Sequence, residues 1–306
     1  MEEKNFKLNA VPSPPSEKDY KIKLPKVFKS VDPVLPSYVD LSPNCTSIKN
    51  QGQIGACTAF ASVGLMEYIH RTCEGSAAQD LFSEKFTYYS TRVDVLRWDP
   101  NSDSGAYLRS AAASLAKFGA SPEPLCPYDG SYNDKPPAQA YESAAENQAL
   151  SYARIKEYEN EDKKEQTLQA CRLSLAEGKP FTGGFICFEN IWSGKRGYIP
   201  LPEGKQVGGH AVLFVGYNDE TKCFKFKNSW GEAWGDQGYG YLPYNFLLQG
   251  HMWDLWTITK IEDFSDVKTL ELKKPKKEED KIEGDKKDKM DLILEKLDTI
   301  LQKMEK

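Results

Sequence analysis

Several features are absent from this 306-residue chain, and each absence argues against a class of protein. No apolar run approaches the roughly 18 residues of a membrane span, since the densest stretches, 185–188 and 211–215, are strand-sized. The N-terminus lacks a basic segment followed by an apolar one, so no signal peptide is predicted. We therefore expect a cytoplasmic or otherwise non-secreted protein, with lysosomal and virion locations left open. The net charge of −5 argues against broad nucleic-acid binding, and no membrane partner is expected.

Histidine is scarce and cysteine is irregularly spaced. The chain has 3 histidines and 7 cysteines, with no CxxC pair and no two histidines at i and i+4. An odd number of cysteines in a chain too long to depend on disulfides indicates mostly reduced thiols. Zinc sites need clustered Cys and His ligands, so no metal site is predicted. No cofactor is predicted either.

The distribution of charge and proline divides the chain into three parts. Segment 262–306 carries 26 charges in 45 positions, and segment 1–36 contains six prolines. We predict a proline-rich extension at 1–36, a folded domain at 37–261, and a charged linker with a short amphipathic helix at 262–306. Apolar residues recur at spacings of 3 and 4 over 290–304. That helix either associates with itself or a partner, or folds back or frays; the pattern does not decide between these.

Helical patterns come first in the central part and strand patterns follow. Helices are predicted at 57–71, 106–118 and 168–177, the last two ending at Gly119 and Gly178. Short aromatic and β-branched runs predict strands at 181–188, 210–217, 223–227, 239–242 and 256–261. This order is typical of an α+β fold in which two lobes meet at a cleft.

Three separated segments contain candidate catalytic groups. Cys57 begins the first predicted helix, where the positive end of the helix dipole favours a thiolate. The side-chain amide of Gln51 and a backbone N–H are placed to hold an oxyanion. His210 begins an apolar strand after two glycines and is a candidate base, and Asn228 could orient an imidazole. Each segment alone also fits a structural role: a buried thiol, a core histidine, or a turn packed by tryptophans.

Together the three segments resemble the papain-like cysteine peptidases, the family of papain and the cathepsins. The similarity lies in 51–60, in 210–217, and in Asn228-Ser229-Trp230-Gly231 with Trp234-Gly235. His210 follows Cys57 by 153 positions, close to the family's usual separation of roughly 130–150. The resemblance implies a helical left lobe carrying the cysteine and a β-barrel-like right lobe carrying the histidine.

The same resemblance implies roles for individual residues. Cys57 would be the nucleophile, paired with His210 as thiolate and imidazolium; Asn228 would orient the imidazole, and Gln51 would complete the oxyanion hole. Substrate-binding residues are assigned to Gly105, Ala106, Tyr107, Gly209 and Trp230. The Ala106 methyl is expected to narrow the approach of a substrate backbone. Asp254 is expected to be a solvated surface carboxylate, with a place at the base of a specificity pocket as the alternative.

The function implied is endopeptidase cleavage of peptide or protein substrates through a thioester acyl-enzyme. An inactive peptidase-like binding module and an acyl transferase using the same triad are the alternatives. A non-secreted member with a short propeptide is expected, because Ile54 replaces a cysteine that is usual in the family and only about 36 residues precede the mature-like start. The proline-rich segment either lies along the cleft as a zymogen inhibitor or forms a structural belt around the domain.

Overall fold

A computed structural model of the chain describes residues 6–16, 19, 35–74, 81–149, 151–155 and 164–260. They belong to one structural unit that spans residues 1–262. The linker and helix predicted for 262–306, and with them the self-association proposed for 290–306, lie outside the described residues.

The helices lie mostly in the first half of the described chain. They are α1 (Cys57–Glu74), α2 (Glu84–Tyr89), α3 (Leu108–Phe118), α4 (Ala138–Ala144), α5 (Lys164–Ala176) and α6 (Tyr244–Leu248). A π-helical segment, Ser90–Val95, continues α2. At the end of α3, Gly119 takes φ of 82° and donates its N–H to the carbonyl of Leu115, a conformation that favours glycine.

The strands form one antiparallel sheet. They are β1 (Tyr38–Asp40), β2 (Ser151–Arg154), β3 (Phe181–Phe188), β4 (Gln206–Asn218), β5 (Cys223–Lys227), β6 (Tyr239–Pro243) and β7 (Met252–Lys260). The order is β2-β7-β3-β4-β5-β6, and β1 pairs with β4. Phe185 lies opposite His210 in the β3–β4 register. The long strand β4 therefore carries the candidate base through the middle of the sheet.

Helix α1 is the central helix of the described fold. The sequence predicts a helix over 57–71, and nearly every residue from 57 to 70 is buried. A helix covered on all sides is typical of a core position, and α1 packs against β4 as well as α2 and α3. This packing brings the start of α1 next to the strand that carries His210.

The α+β expectation is confirmed, with one change of detail. Among the described strands the sheet is open at β2 and β6 and is not closed into a barrel. The strand predicted at 256–261 begins earlier, at Met252, and α2, α4 and α6 were not predicted. These missed helices have 5 to 7 residues, too few to display a helical period clearly. In the described part of the chain, no helix is both long and apolar enough to cross a membrane.

Candidate active site

Cys57 is the first residue of α1 and is fully buried. The loop before it turns at Gly52, which takes φ of 58°. The loop is tied to the segment before α3 because the backbone N–H of Gly55 donates to the carboxylate of Asp103 at 3.1 Å. Tyr88 donates its hydroxyl to the same carboxylate at 2.6 Å. These bonds hold the loop that presents the thiol.

His210 and Asn228 are held together by a short hydrogen bond. The imidazole Nε2 lies 2.7 Å from Asn228 Oδ1, and both side chains are buried. An amide oxygen only accepts, so Nε2 carries the proton and Nδ1 keeps a free lone pair. The ring of Trp230 stacks on the imidazole with centroids 4.5 Å apart. The histidine is therefore fixed in both orientation and tautomer.

The amide of Gln51 is fixed by bonds at both of its ends. Ser229 Oγ donates to Gln51 Oε1 at 2.6 Å, and Gln51 Nε2 donates to the carbonyl of Ile54 at 3.0 Å. The backbone N–H of Gln51 also donates to the carbonyl of Ser229 at 2.8 Å. The loop before Cys57 and the segment after β5 are thus linked directly, and the donor end of the amide has a defined direction.

The proline-rich extension lies in the cleft. Ala10 donates its N–H to the carbonyl of Gly209 at 3.0 Å, and Gly209 donates to the carbonyl of Leu8 at 3.1 Å. Gln51 Nε2 also reaches the carbonyl of Lys7, at 3.4 Å. Ala10 packs in an apolar cluster that includes Cys57. We call residues 6–19 the strap, of which 6–16 and 19 are described.

Glycines line the path of the strap. A side chain at Gly105 would clash with the carbonyl of Asn9, and one at Gly209 with the carbonyl of Ala10. Ala106, in contrast, is fully buried in an apolar cluster with Phe60. The expectation that its methyl narrows the cleft is wrong, because that side chain belongs to the core.

Side chains hold the strap along its length. The Phe6 ring stacks on Trp230, with ring centroids 5.1 Å apart, and its centroid lies 6.4 Å from that of Trp192. Further along, Asp19 forms an ion pair with Arg109 at 3.0 Å and another with Arg154 at 3.5 Å. The strap therefore covers the candidate catalytic groups from the tryptophan side to the helix α3 side.

Asp254 corrects a further expectation. It is 1% exposed and takes φ of 54°, so it is not the solvated surface carboxylate we predicted. Its Oδ2 accepts hydrogen bonds from both the N–H and the Oγ of Ser13 at 2.6 Å, and its Oδ1 lies 3.7 Å from an Arg154 nitrogen. The sequence pattern does not show this position, because the partner that buries the carboxylate, Ser13, is 241 positions away.

Exclusion of water shifts the pKa values of the candidate catalytic pair, Cys57 and His210. Burial raises the pKa of the Cys57 thiol to about 11, although backbone N–H groups, including those of Ala211 and Ala10, partly offset it. Burial also lowers the pKa of the His210 imidazole to about 4, against the opposing effect of Asn228. At neutral pH both groups are uncharged beneath the strap, so the expected thiolate–imidazolium pair is not the state described here.

The structure brings most of the predicted site residues together. The residues that lie along the cleft are Cys57, His210, Asn228, Gln51, Trp230, Gly105 and Gly209. The Tyr107 ring instead packs on Trp98. Sequence reasoning left the place of the proline-rich segment and of Asp254 open between two alternatives, and it did not find Trp192, because no local pattern shows which residues meet across the cleft. Among the described residues, no cluster of three or more His, Cys, Asp or Glu side chains could hold a metal ion.

Comparison with known proteins agrees with this architecture. The profile described as "Papain family cysteine protease" matches residues 35–247. An uncharacterized peptidase C1-like protein of Acanthamoeba polyphaga mimivirus is 31% identical over 276 residues, covering 83% of this chain and 86% of its own length. Further curated relatives are 24–29% identical over their matched regions, and the chain spans 41–64% of their length.

Solved structures show the same fold. Xylellain, a cysteine protease from Xylella fastidiosa, superposes with a TM-score of 0.72 at 30% identity, covering 82% of this chain and 95% of its own. Digestive procathepsin L2 from Tenebrio molitor superposes with a TM-score of 0.64 at 22% identity, covering 83% and 78%. With the family profile matching most of its length, the chain belongs to the papain family of cysteine proteases.

Proposed function

We propose that the chain is a cysteine-type endopeptidase that cleaves peptide bonds of peptide or protein substrates with Cys57, His210 and Asn228. The observation that carries the proposal is the 2.7 Å bond from His210 Nε2 to Asn228 Oδ1. This bond leaves Nδ1 of His210 without a proton, as a general base requires. Cys57 begins the neighbouring helix, and Ala211, next to His210, packs in the same apolar cluster as Cys57.

Acylation follows from these groups. Nδ1 of His210 takes the Sγ proton as the sulfur attacks the carbonyl carbon of the substrate, and the thiolate–imidazolium pair forms once the cleft is open to water. The N–H of Cys57 and Nε2 of Gln51 stabilise the negative oxygen of the tetrahedral intermediate. The imidazolium then protonates the leaving amine, and a thioester remains on Cys57.

Deacylation uses the same residues. His210 removes a proton from a water molecule that attacks the thioester carbon, and the carboxylate product leaves as Cys57 regains its proton. An acyl transferase would use an amine in place of this water. A binding module would need none of the four polar groups, so their joint placement favours catalysis.

We further propose that the strap keeps the enzyme latent. It pairs with Gly209, contacts Gln51 and buries Cys57, so a substrate backbone has no access to these groups. The raised pKa of the thiol and the lowered pKa of the imidazole both oppose formation of the reactive ion pair. This favours the inhibitory alternative for 1–36 over a structural belt.

Both proposals are tested by labelling with an epoxysuccinyl or iodoacetamide probe, read by mass spectrometry. A chain lacking residues 1–34 should react fast at Cys57 alone and cleave a fluorogenic peptide, while the full chain reacts slowly. His210→Ala in the truncated chain should reduce the Cys57 rate by about 100-fold or more, because the base is lost.

The other six cysteines are internal controls in each experiment, and circular dichroism checks folding. Equal slow labelling of several cysteines in the folded truncated chain would favour the binding module. Fast labelling without peptide cleavage, but with transfer to an added amine, would favour the acyl transferase. Equal reactivity of full and truncated chains would contradict latency.

A further inference from the structure

Arg109, the second residue of α3, binds a carboxylate at the α3 end of the cleft. Its Nε lies 3.0 Å from Asp19 Oδ1, and its Nη2 donates to Asp19 Oδ2 at 3.0 Å. A guanidinium that approaches both oxygens of a carboxylate forms one of the stronger ion pairs found in proteins. The Asp19 side chain is 5% exposed and that of Arg109 is 21% exposed, so most of this pair is shielded from water.

Arg109 is also close to the path of a main chain through the cleft. Its Nη2 donates to the carbonyl of Pro14, four residues beyond Ala10. Ala10 packs with Cys57 and Leu108 in one apolar cluster. Four extended residues span at most about 14 Å, so Arg109 can reach a side chain about four residues away from the thiol along a bound peptide.

The two ends of the cleft face different parts of a peptide substrate. Trp230 stacks on His210, with ring centroids 4.5 Å apart, and His210 is the group proposed to protonate the leaving amine. The residues after the cut bond therefore extend toward Trp230, where Phe6 of the strap stacks. The residues before the cut bond extend the other way, toward α3 and Arg109.

Departure of the strap removes the carboxylate from Arg109. Among the described residues, Asp19 is the one acidic side chain paired with Arg109. Arg154, the second arginine at Asp19, differs in this respect, because its Nη2 also lies 3.7 Å from Asp254 Oδ1. A cation on the wall of a partly dry cleft attracts a negative group more strongly than a cation in water does.

We propose that Arg109 is a specificity-determining residue that binds an acidic side chain of the substrate, Asp or Glu, within about four residues before the cut bond. In the closed state Asp19 holds this position, so the strap and an acidic substrate compete for one site. A neutral amide is a poorer ligand, because it offers one acceptor oxygen and carries no charge. The inference rests on the proposed function, since it names the substrates that the peptidase prefers.

Matched peptidyl vinyl sulfones that label Cys57 test this inference in the full-length chain. Each pair carries Asp or Asn at one of the four positions before the electrophile, with alanine at the others. Only open molecules react, and the open fraction multiplies both rates of a pair equally, so the ratio of the two rates reports the open cleft alone. We expect at least one Asp probe to react about 10-fold faster than its Asn partner, measured by mass spectrometry of the labelled chain.

Substitutions show whether this ratio depends on the guanidinium. Arg109→Gln should reduce it to about 1, and Arg109→Lys should give an intermediate ratio, because lysine keeps the charge without the planar fork. Asp19→Asn should raise both rates and leave the ratio unchanged. Arg196→Gln is the matched control and should also leave it unchanged, because Arg196 is exposed and lies beside Tyr198, which pairs with β6 at the far end of the sheet from β2.

Ratios below about 2-fold for all four pairs in the unsubstituted chain would overturn the subsite. An unchanged ratio in Arg109→Gln, or in Arg109→Lys if the first variant does not fold by circular dichroism, would remove Arg109 from it. Labelling requires no peptide cleavage. A chain that shows the expected ratio without hydrolysing peptides would contradict the proposed activity alone, and cleavage without a preference for acidic side chains would contradict this inference alone.

Discussion

At the scale of single residues, function depends on which end of each polar side chain faces the cleft. Gln51 is an example, because Ser229 holds its Oε1 and thereby directs Nε2 toward the strap carbonyl of Lys7. A carbonyl oxygen of the strap occupies this donor while the enzyme is closed. In the open enzyme that we propose, the same donor would be free for the oxyanion of a substrate.

Gln51→Ala should therefore reduce kcat/KM by about 100-fold in the chain lacking 1–34, which is the usual cost of losing one oxyanion donor. Gln53→Ala, an exposed position two residues further along the same loop, is the matched control and should change little. Hydrolysis of a fluorogenic peptide measures both variants. A loss of less than about 3-fold for Gln51→Ala would remove this residue from the proposed oxyanion hole.

At the scale of elements, the position of the strap is what its sequence indicates least. Proline and the lack of periodicity indicate an extended segment at 1–36, but the pattern does not show where it lies. The structure places it against Gly209, with Asp19 bound to two arginines. The Asp19 side chain is only 5% exposed, so its loss should weaken the closed state.

Asp19→Asn keeps the shape of the side chain and removes its charge, so we expect probe labelling of Cys57 in the full-length chain to rise by about 10-fold. Lys7→Met breaks the ion pair with Asp103 at the other end of the strap, where Lys7 is 44% exposed. An exposed pair contributes little, so that control should change the rate by no more than about 3-fold. Equal effects would show that Asp19 does not anchor the strap.

At the scale of the whole molecule, burial of the cleft lowers the pKa of His210 and raises the pKa of Cys57. The pKa of His210 falls from 6.5 to about 4, so its contribution to the closed state is present above pH 6.5 and is lost as pH falls toward 4. The pKa of Cys57 rises from 9.0 to about 11, so its contribution is present below pH 9 and is lost as pH rises toward 11. These two groups favour the closed state most between these limits.

The free energy of unfolding should consequently fall between pH 6.5 and 4.5, with about 2 kcal/mol of the loss due to His210. In His210→Gln this part of the pH dependence should disappear, whereas His70→Gln on α1 should retain it. Urea unfolding at several pH values measures the difference. An identical pH slope in His210→Gln and the unsubstituted chain would contradict a neutral, buried imidazole.

The triad segments could be recognised from sequence because their chemistry requires particular residue types in a fixed order along the chain. The prediction that His210 begins a strand was wrong, since it is the fifth residue of β4. The α+β class followed from a helical period that gives way to short aromatic runs. The location and the roles of 262–306 stay predictions, since the described residues do not include that segment.

The sequence by itself determined the residue types of the site, their order along the chain and the extended character of the strap, since these depend on local propensity and spacing. Only the tertiary structure decided that the strap fills the cleft, that Asp254 is buried and that Ala106 faces the core. Such outcomes depend on contacts between residues as far apart as Ser13 and Asp254, which are 241 positions apart. No local pattern encodes them, because burial and pairing arise only when the lobes and the sheet have packed together.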